Sequence, residues 1–194
     1  MITVSAMIDP VNEPSTSEAH APPAGWLLVA DQPTLDVEVM LRRFGQVYRY
    51  PVGDNDEARL LDAGQPCFLV RTDRSKVIGI WAIGEAVAPC LALDPALEHP
   101  AAGRAEPLDP DGRQLHAEVE LLPLQKPLAL TKLLDDDVLG PGALATATER
   151  RGLVPLSRRE VRAIESFDFW IEEPTDDQRR ALDELLELEE ATQP

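Results

Sequence analysis

Trp26, Tyr48, Tyr50, Arg71 and Trp81 lie in segments that read as strands rather than surface helices, and Arg150 and Arg151 follow the Gly140 break. Flat rings and guanidinium planes are what a protein needs to stack on an extruded base and read its edge. The two tryptophans suit an ordinary core equally well, and the tyrosines need a wet end or a partner for their hydroxyls. Glu85 adds a charge to this set. It shares parity with Trp81, Ile83 and Val87 in a run that is apolar on both parities, so it reads as buried. A buried carboxylate needs a cation or donor; Arg71 on the neighbouring strand is the expected partner in a structural ion pair, with a ligand contact as the alternative.

The rest of the chemical inventory is thin. His20, His99 and His116 lack the spacing of a metal site and read as surface residues. There is no G-x-S-x-G, no P-loop and no G-x-G-x-x-G, so nucleophile-elbow hydrolysis and dinucleotide binding lack their local signals. The Asp135, Asp136 and Asp137 run cannot turn all its carboxylates to one ion on a helix, so it reads as a solvated helix end. Cys67 and Cys90 form no CxxC pair; neither a disulfide nor a zinc site is expected, and Cys67 reads as a small buried hydrophobe. No catalytic residue, metal or cofactor is assigned, and the expectation is a binding module rather than an enzyme.

Charge narrows the choice of partner. The net charge is −17 over 194 residues; residues 1–24 carry −3 and residues 168–194 carry −8, leaving −6 for the middle. That middle lacks the basic surplus with which proteins grip duplex phosphates, so strong non-specific DNA binding is not expected. The apolar runs fall short of the ~18 residues of a membrane span. The N-terminus has no basic segment followed by an apolar stretch, so a cytoplasmic protein with no membrane association is expected.

The elements that must position these side chains can be read in order. Residues 1–24, rich in proline and short of periodic apolar content, read as a disordered arm. Trp26 to Ala30 read as an inner strand. Val37, Met40, Leu41 and Phe44 recur at helical spacing, with Gly45 at the left-handed cap position. Residues 46–52 read as a strand that Pro51 confines to an edge, with both tyrosines on one face, and residues 55–62 as one or two helical turns. Residues 67–72 and 77–87 read as an antiparallel hairpin. Its second strand is central, covered on both faces and interrupted by Gly79 and Gly84, where a bulge or a close approach is expected. Residues 89–112 read as a long proline-rich excursion, residues 114–122 as a half-exposed strand and residues 128–134 as a short helix. Ser157 and Glu160 form a capping box, with Leu156 and Val161 placed for the hydrophobic staple. Thr175 and Gln178 repeat the box ahead of Leu182, Leu185, Leu186 and Leu188. The acidic tail therefore carries a helix that either folds back on the domain or meets a basic partner.

The order of these segments resembles the EVE domain of the PUA-like superfamily. The matching pieces are Trp26-Leu27-Leu28-Val29, the run from Gly64 to Thr72, and Gly79-Ile80-Trp81-Ala82-Ile83-Gly84-Glu85-Ala86-Val87. Ala117-Glu118-Val119-Glu120 and the stretch from Gly152 to Glu160 complete the likeness. It implies an α+β fold, a PUA-like mixed β pseudo-barrel of about five to six strands with short flanking helices, spanning residues 25–167. Residues 168–194 are left as an acidic tail. It further implies a reader of a modified nucleobase in single-stranded or base-flipped RNA or DNA, with a pocket near the ends of the first strand, the aromatic strand and the hairpin. By position, Asp31, Tyr48, Tyr50, Arg71, Thr72, Trp81 and Arg151 are the ligand-binding residues it suggests. Gln65 stands where the family has Asp, and Tyr48 and Tyr50 where many relatives place tryptophan. The alternative is an adaptor that uses residues 172–194 to hold a protein partner, with the barrel as its scaffold.

Overall fold

A computed structural model describes residues 22–30, 37–52, 56–71, 79–93, 114–147 and 152–192. Its six strands are β1 (Gly25–Ala30), β2 (Val47–Pro51), β3 (Pro66–Arg71), β4 (Gly79–Leu93), β5 (Gln114–Ala129) and β6 (Gly152–Leu156). They form one mixed sheet in the order β2-β5-β4-β3-β1-β6, in which only β1 and β3 run parallel. The parallel pair is possible because α1 (Val37–Phe44), β2 and a 3-10 turn (Asp56–Leu60) intervene and carry the chain back to the same end. The remaining helices are α2 (Leu130–Leu134), α3 (Ala143–Ala147), α4 (Arg158–Glu165) and α5 (Asp176–Thr192). The α+β class and the six strands match the sequence reading. A closed sheet does not: β2 and β6 are each paired on one side only, so the sheet stays open.

The sheet is covered on both faces. Alternation in β1 sends Trp26, Leu28 and Ala30 into one core with Tyr48, Tyr50, Leu69, Val119 and α1, while Leu27 and Val29 enter a second core with Phe68, Ile80, Leu128 and α4. The edge strand β2 is tied across the first core, where the Tyr50 hydroxyl donates to the Val29 carbonyl of β1 at 2.5 Å. That bond spans strands that are far apart in the sheet order, so β2 bends over the core without pairing to β6.

Local signals explain the helix ends. Gly45 closes α1 at φ 70° and donates to the Leu41 carbonyl at 2.9 Å, as a left-handed cap requires. Ser157 and Glu160 form the reciprocal capping box of α4, and Thr175 and Gln178 form the same pattern ahead of α5. Gly79 and Gly84 mark close approaches. A Cβ at either would collide with a β5 carbonyl, Leu128 at the first and Glu120 at the second.

Several expectations are corrected. Glu85 is exposed and lies opposite Pro66, whereas Arg71 lies opposite Gly79 at the far end of the hairpin, so the two do not pair. Val87 on the same side is 55% exposed, so the outer half of β4 is wet on that face. β4 runs on to Leu93, so residues 89–93 belong to a strand rather than a loop. His116 is buried, held between Pro51 of β2 and Leu91 of β4, because β5 is flanked on both sides there. The arm at residues 1–21 and the stretch at residues 94–113 lie outside the described residues.

Candidate functional site

The centre of the candidate site is Trp81, and the sheet itself puts it there. Leu69 and Val70 of β3 stand opposite Ala82 and Ile80, leaving Trp81 as an extra residue against that strand. On the other side, Ala82 pairs with Pro123 and Ile80 with Leu128, so residues 124–127 of β5 face Trp81 alone. The core confirms the bulge: Ile80 and Ala82 are two positions apart yet enter opposite cores, which an extra residue between them allows. Bulges re-aim side chains, and this one turns Trp81 out of the ladder of both neighbours. Pro123 and Pro127, which cannot donate to a ladder, flank the widened stretch of β5.

Arg71 backs the indole. Its guanidinium lies 4.3 Å from the centre of the Trp81 ring, and its Nη1 donates to Glu38 of α1 at 3.0 Å. Arg71 is only 3% exposed. A buried guanidinium stacked on a ring and tied to a carboxylate holds that ring in one orientation.

A cleft of about 490 Å³ opens beside Trp81, lined also by Leu41 of α1 and its cap Gly45, by Pro123, Gln125 and Pro127 of β5, and by Glu172, Thr175 and Gln178. The C-terminal segment forms its third wall. The Gln125 amide donates to the Trp170 carbonyl at 2.9 Å and the Glu172 amide to the Pro123 carbonyl at 2.8 Å, so residues 170–172 join the bulged part of β5 as a short antiparallel strap. The Gln178 amide then donates to the Leu41 and Arg42 carbonyls at 3.3 and 3.2 Å, satisfying the open end of α1. Gly45 permits this approach, since a Cβ there would come within 2.7 Å of Pro174.

The tyrosines serve elsewhere. Tyr48 meets Phe44 edge to face at 5.5 Å with Arg49 over its ring, and Tyr50 is spent on Val29; both are buried in the first core, away from the cleft. Burial, with the Glu189 carboxylate nearby, pushes the Tyr48 hydroxyl up to about 12. Of the residues that the likeness suggested, the structure brings together Arg71 and Trp81. Asp31, Thr72 and Arg151 lie outside the described residues. The residues missed were those of residues 123–127 and 170–178. The double proline in β5 and the Thr175 and Gln178 box were their signals, but neither says which wall the segment completes.

Chemically, the cleft offers an aromatic surface and a polar rim of Gln125, Glu172, Thr175 and Gln178. It suits the binding of a flat ring. Among the described residues no group of His, Cys, Asp and Glu side chains could hold a metal ion, and no helix is long and apolar enough to cross a membrane. Burial pushes the Cys67 thiol up to about 12, with Cys90 adding to the effect, and pushes Cys90 up to about 11; both are protonated at neutral pH.

The sequence matches no family model and no curated protein. Solved structures do resemble the fold. A crystallised protein of Pseudomonas syringae superposes with a TM-score of 0.54 at 20% identity, over 74% of this chain and 98% of its own. A Pseudomonas putida protein gives 0.53 at 20% identity, over 74% and 98%. A protein of Rhodopseudomonas palustris gives 0.50 at 16% identity, over 73% and 90%. What the chain shares with these bacterial proteins is the α+β fold.

Proposed function

We propose that this chain is a non-enzymatic binding module that accepts one flat nucleobase, a modified one among its targets, from a single-stranded or base-flipped RNA or DNA segment. The observation that carries this reading is Trp81: an extra residue against β3, set opposite the bulged residues 124–127 of β5, backed by a buried arginine and facing a cleft of about 490 Å³. The order of segments, which resembles that of EVE and other PUA-like domains, supports it. Charge limits how the module holds its target. With Glu172 on the rim and a net charge of −17, recognition rests on the ring rather than on the phosphates. Affinity for unmodified duplex is therefore low.

The adaptor reading keeps a narrower surface. Helix α5 spends Leu182 on the domain, so a protein partner of residues 172–194 would meet its acidic outer side.

Polarisation binding of labelled single-stranded oligonucleotides carrying methylated, hydroxymethylated or thiolated bases tests the proposal. The expected result is tighter binding of at least one modified base than of its unmodified control, with the preference lost in Trp81→Ala. Equal binding of all oligonucleotides, or an unchanged preference in Trp81→Ala, overturns it.

A further inference from the structure

Trp170 is 76% exposed, far more than Trp26 or Trp81, yet its backbone is fixed. Its carbonyl accepts from Gln125 at 2.9 Å, and the next residue, Ile171, bridges Leu124. In an antiparallel ladder, the residues flanking a bridged pair face each other on the opposite side of the strands. Leu124 is buried in the second core and Ile171 stands across from it. Trp170 therefore stands directly across from Gln125 on the other side of the strands, and Gln125 and Glu172, together with Leu124, line the Trp81 cleft. Directly opposed residues bring their Cβ atoms to about 4.5–5.5 Å. The chain thus holds a large exposed indole on a pinned backbone at the edge of the cleft without using it as a wall.

We propose that Trp170 is a second stacking platform, taking the base that flanks the one held in the Trp81 cleft, so that the preferred ligand is a single-stranded stretch of at least two nucleotides rather than a free nucleoside. This inference rests on the proposed base-binding role of the cleft. Stacking on an exposed ring tolerates any flanking base, because every base presents a π-face. Duplex is disfavoured on the same grounds, since its bases are already stacked on one another. Trp170 lies beyond residue 167, outside the span of the family likeness, on the strap paired to β5.

Calorimetric titration separates this proposal from the one beneath it. The probes are the nucleosides of methylated, hydroxymethylated and thiolated bases, and trinucleotides with each base placed between two uridines. For the wild-type chain, the trinucleotide of the best-bound base is expected to bind about 5- to 100-fold more tightly than its nucleoside. Trp170→Ala should lose most of that gain and leave the nucleoside Kd unchanged, while Trp170→Phe keeps most of it. A nucleoside that binds with no trinucleotide gain, a gain that survives Trp170→Ala, or an equal loss for nucleoside and trinucleotide overturns the Trp170 platform alone. Absence of binding by every probe overturns the base-binding role of the cleft and the platform with it.

Discussion

The Arg71 guanidinium sits 4.3 Å from the centre of the Trp81 ring while its Nη1 holds Glu38 at 3.0 Å, joining β3, β4 and α1 through one buried cation. Glu38 is 53% exposed on its side chain, so removing the arginine does not leave that carboxylate buried. Arg71→Ala should therefore cost about 1–2 kcal/mol, the sum of a partly desolvated cation–π contact and lost packing of the stem. Arg71→Lys keeps the charge and loses the plane, and should recover only part of the loss. Urea unfolding of the three proteins measures both; an alanine variant as stable as wild type would show that the stack contributes nothing.

Tyr48 and Tyr50 should respond differently to loss of a hydroxyl. Tyr50→Phe removes the donor to the buried Val29 carbonyl and should cost about 1–3 kcal/mol. Tyr48 acts through its ring, so Tyr48→Phe should stay within about 0.5 kcal/mol. Equal effects in denaturant titrations would contradict the tie that bends β2 over the core.

Helix α5 packs on its own domain. Leu182 is 7% exposed in the first core, and Glu189 accepts from Arg49 at 2.9 Å. Leu182→Ala should cost about 2–4 kcal/mol, and at about 2–4 °C per kcal/mol the melting temperature should fall by several degrees. Removal of residues 172–194 should lower it further, since Gln178 leaves the α1 end as well. An unchanged melting temperature after truncation would instead favour a tail that works on a partner.

Alkaline pH should weaken the fold. Cys67 and Cys90 are raised to about 12 and about 11 from an ordinary 9.0, and Tyr48 to about 12 from 10.0, chiefly by burial. Each raised group binds its proton more tightly when folded, so its contribution is complete below the unfolded value and is lost as pH rises through the folded one. Stability should hold to about pH 9 and fall steadily toward pH 12. Thermal melts across that window test this, and Cys67→Ala should flatten part of the slope. At pH 8, alkylation of Cys67 should need denaturant.

Much of the scaffold was legible because its signals are local. The 3.6-residue spacing of Val37, Met40, Leu41 and Phe44, the Gly45 cap and the Ser157–Glu160 box each act within a few residues, and each element formed where they put it. The hairpin was legible too, but its register was not. Glu85 was assigned a burial and a partner that it lacks because both faces of β4 read as covered along its length, whereas its outer part is exposed at Glu85 and Val87, and Glu85 stands opposite Pro66, at the other end of β3 from Arg71. His116 was misread for a related reason: burial of a strand residue depends on how many neighbours its strand acquires, and β5 acquired two.

By itself, the sequence determined the α+β class, the helix caps, the strands and the deficit of basic charge, since propensity, periodicity and composition are properties of short windows or of the whole sum. The tertiary structure alone decided that the sheet stays open, that Arg71 lies behind Trp81, and that residues 170–178 close the cleft. These depend on register and on contacts between segments up to 137 residues apart in the chain, where closure entropy and packing choose the partner and no local pattern encodes it.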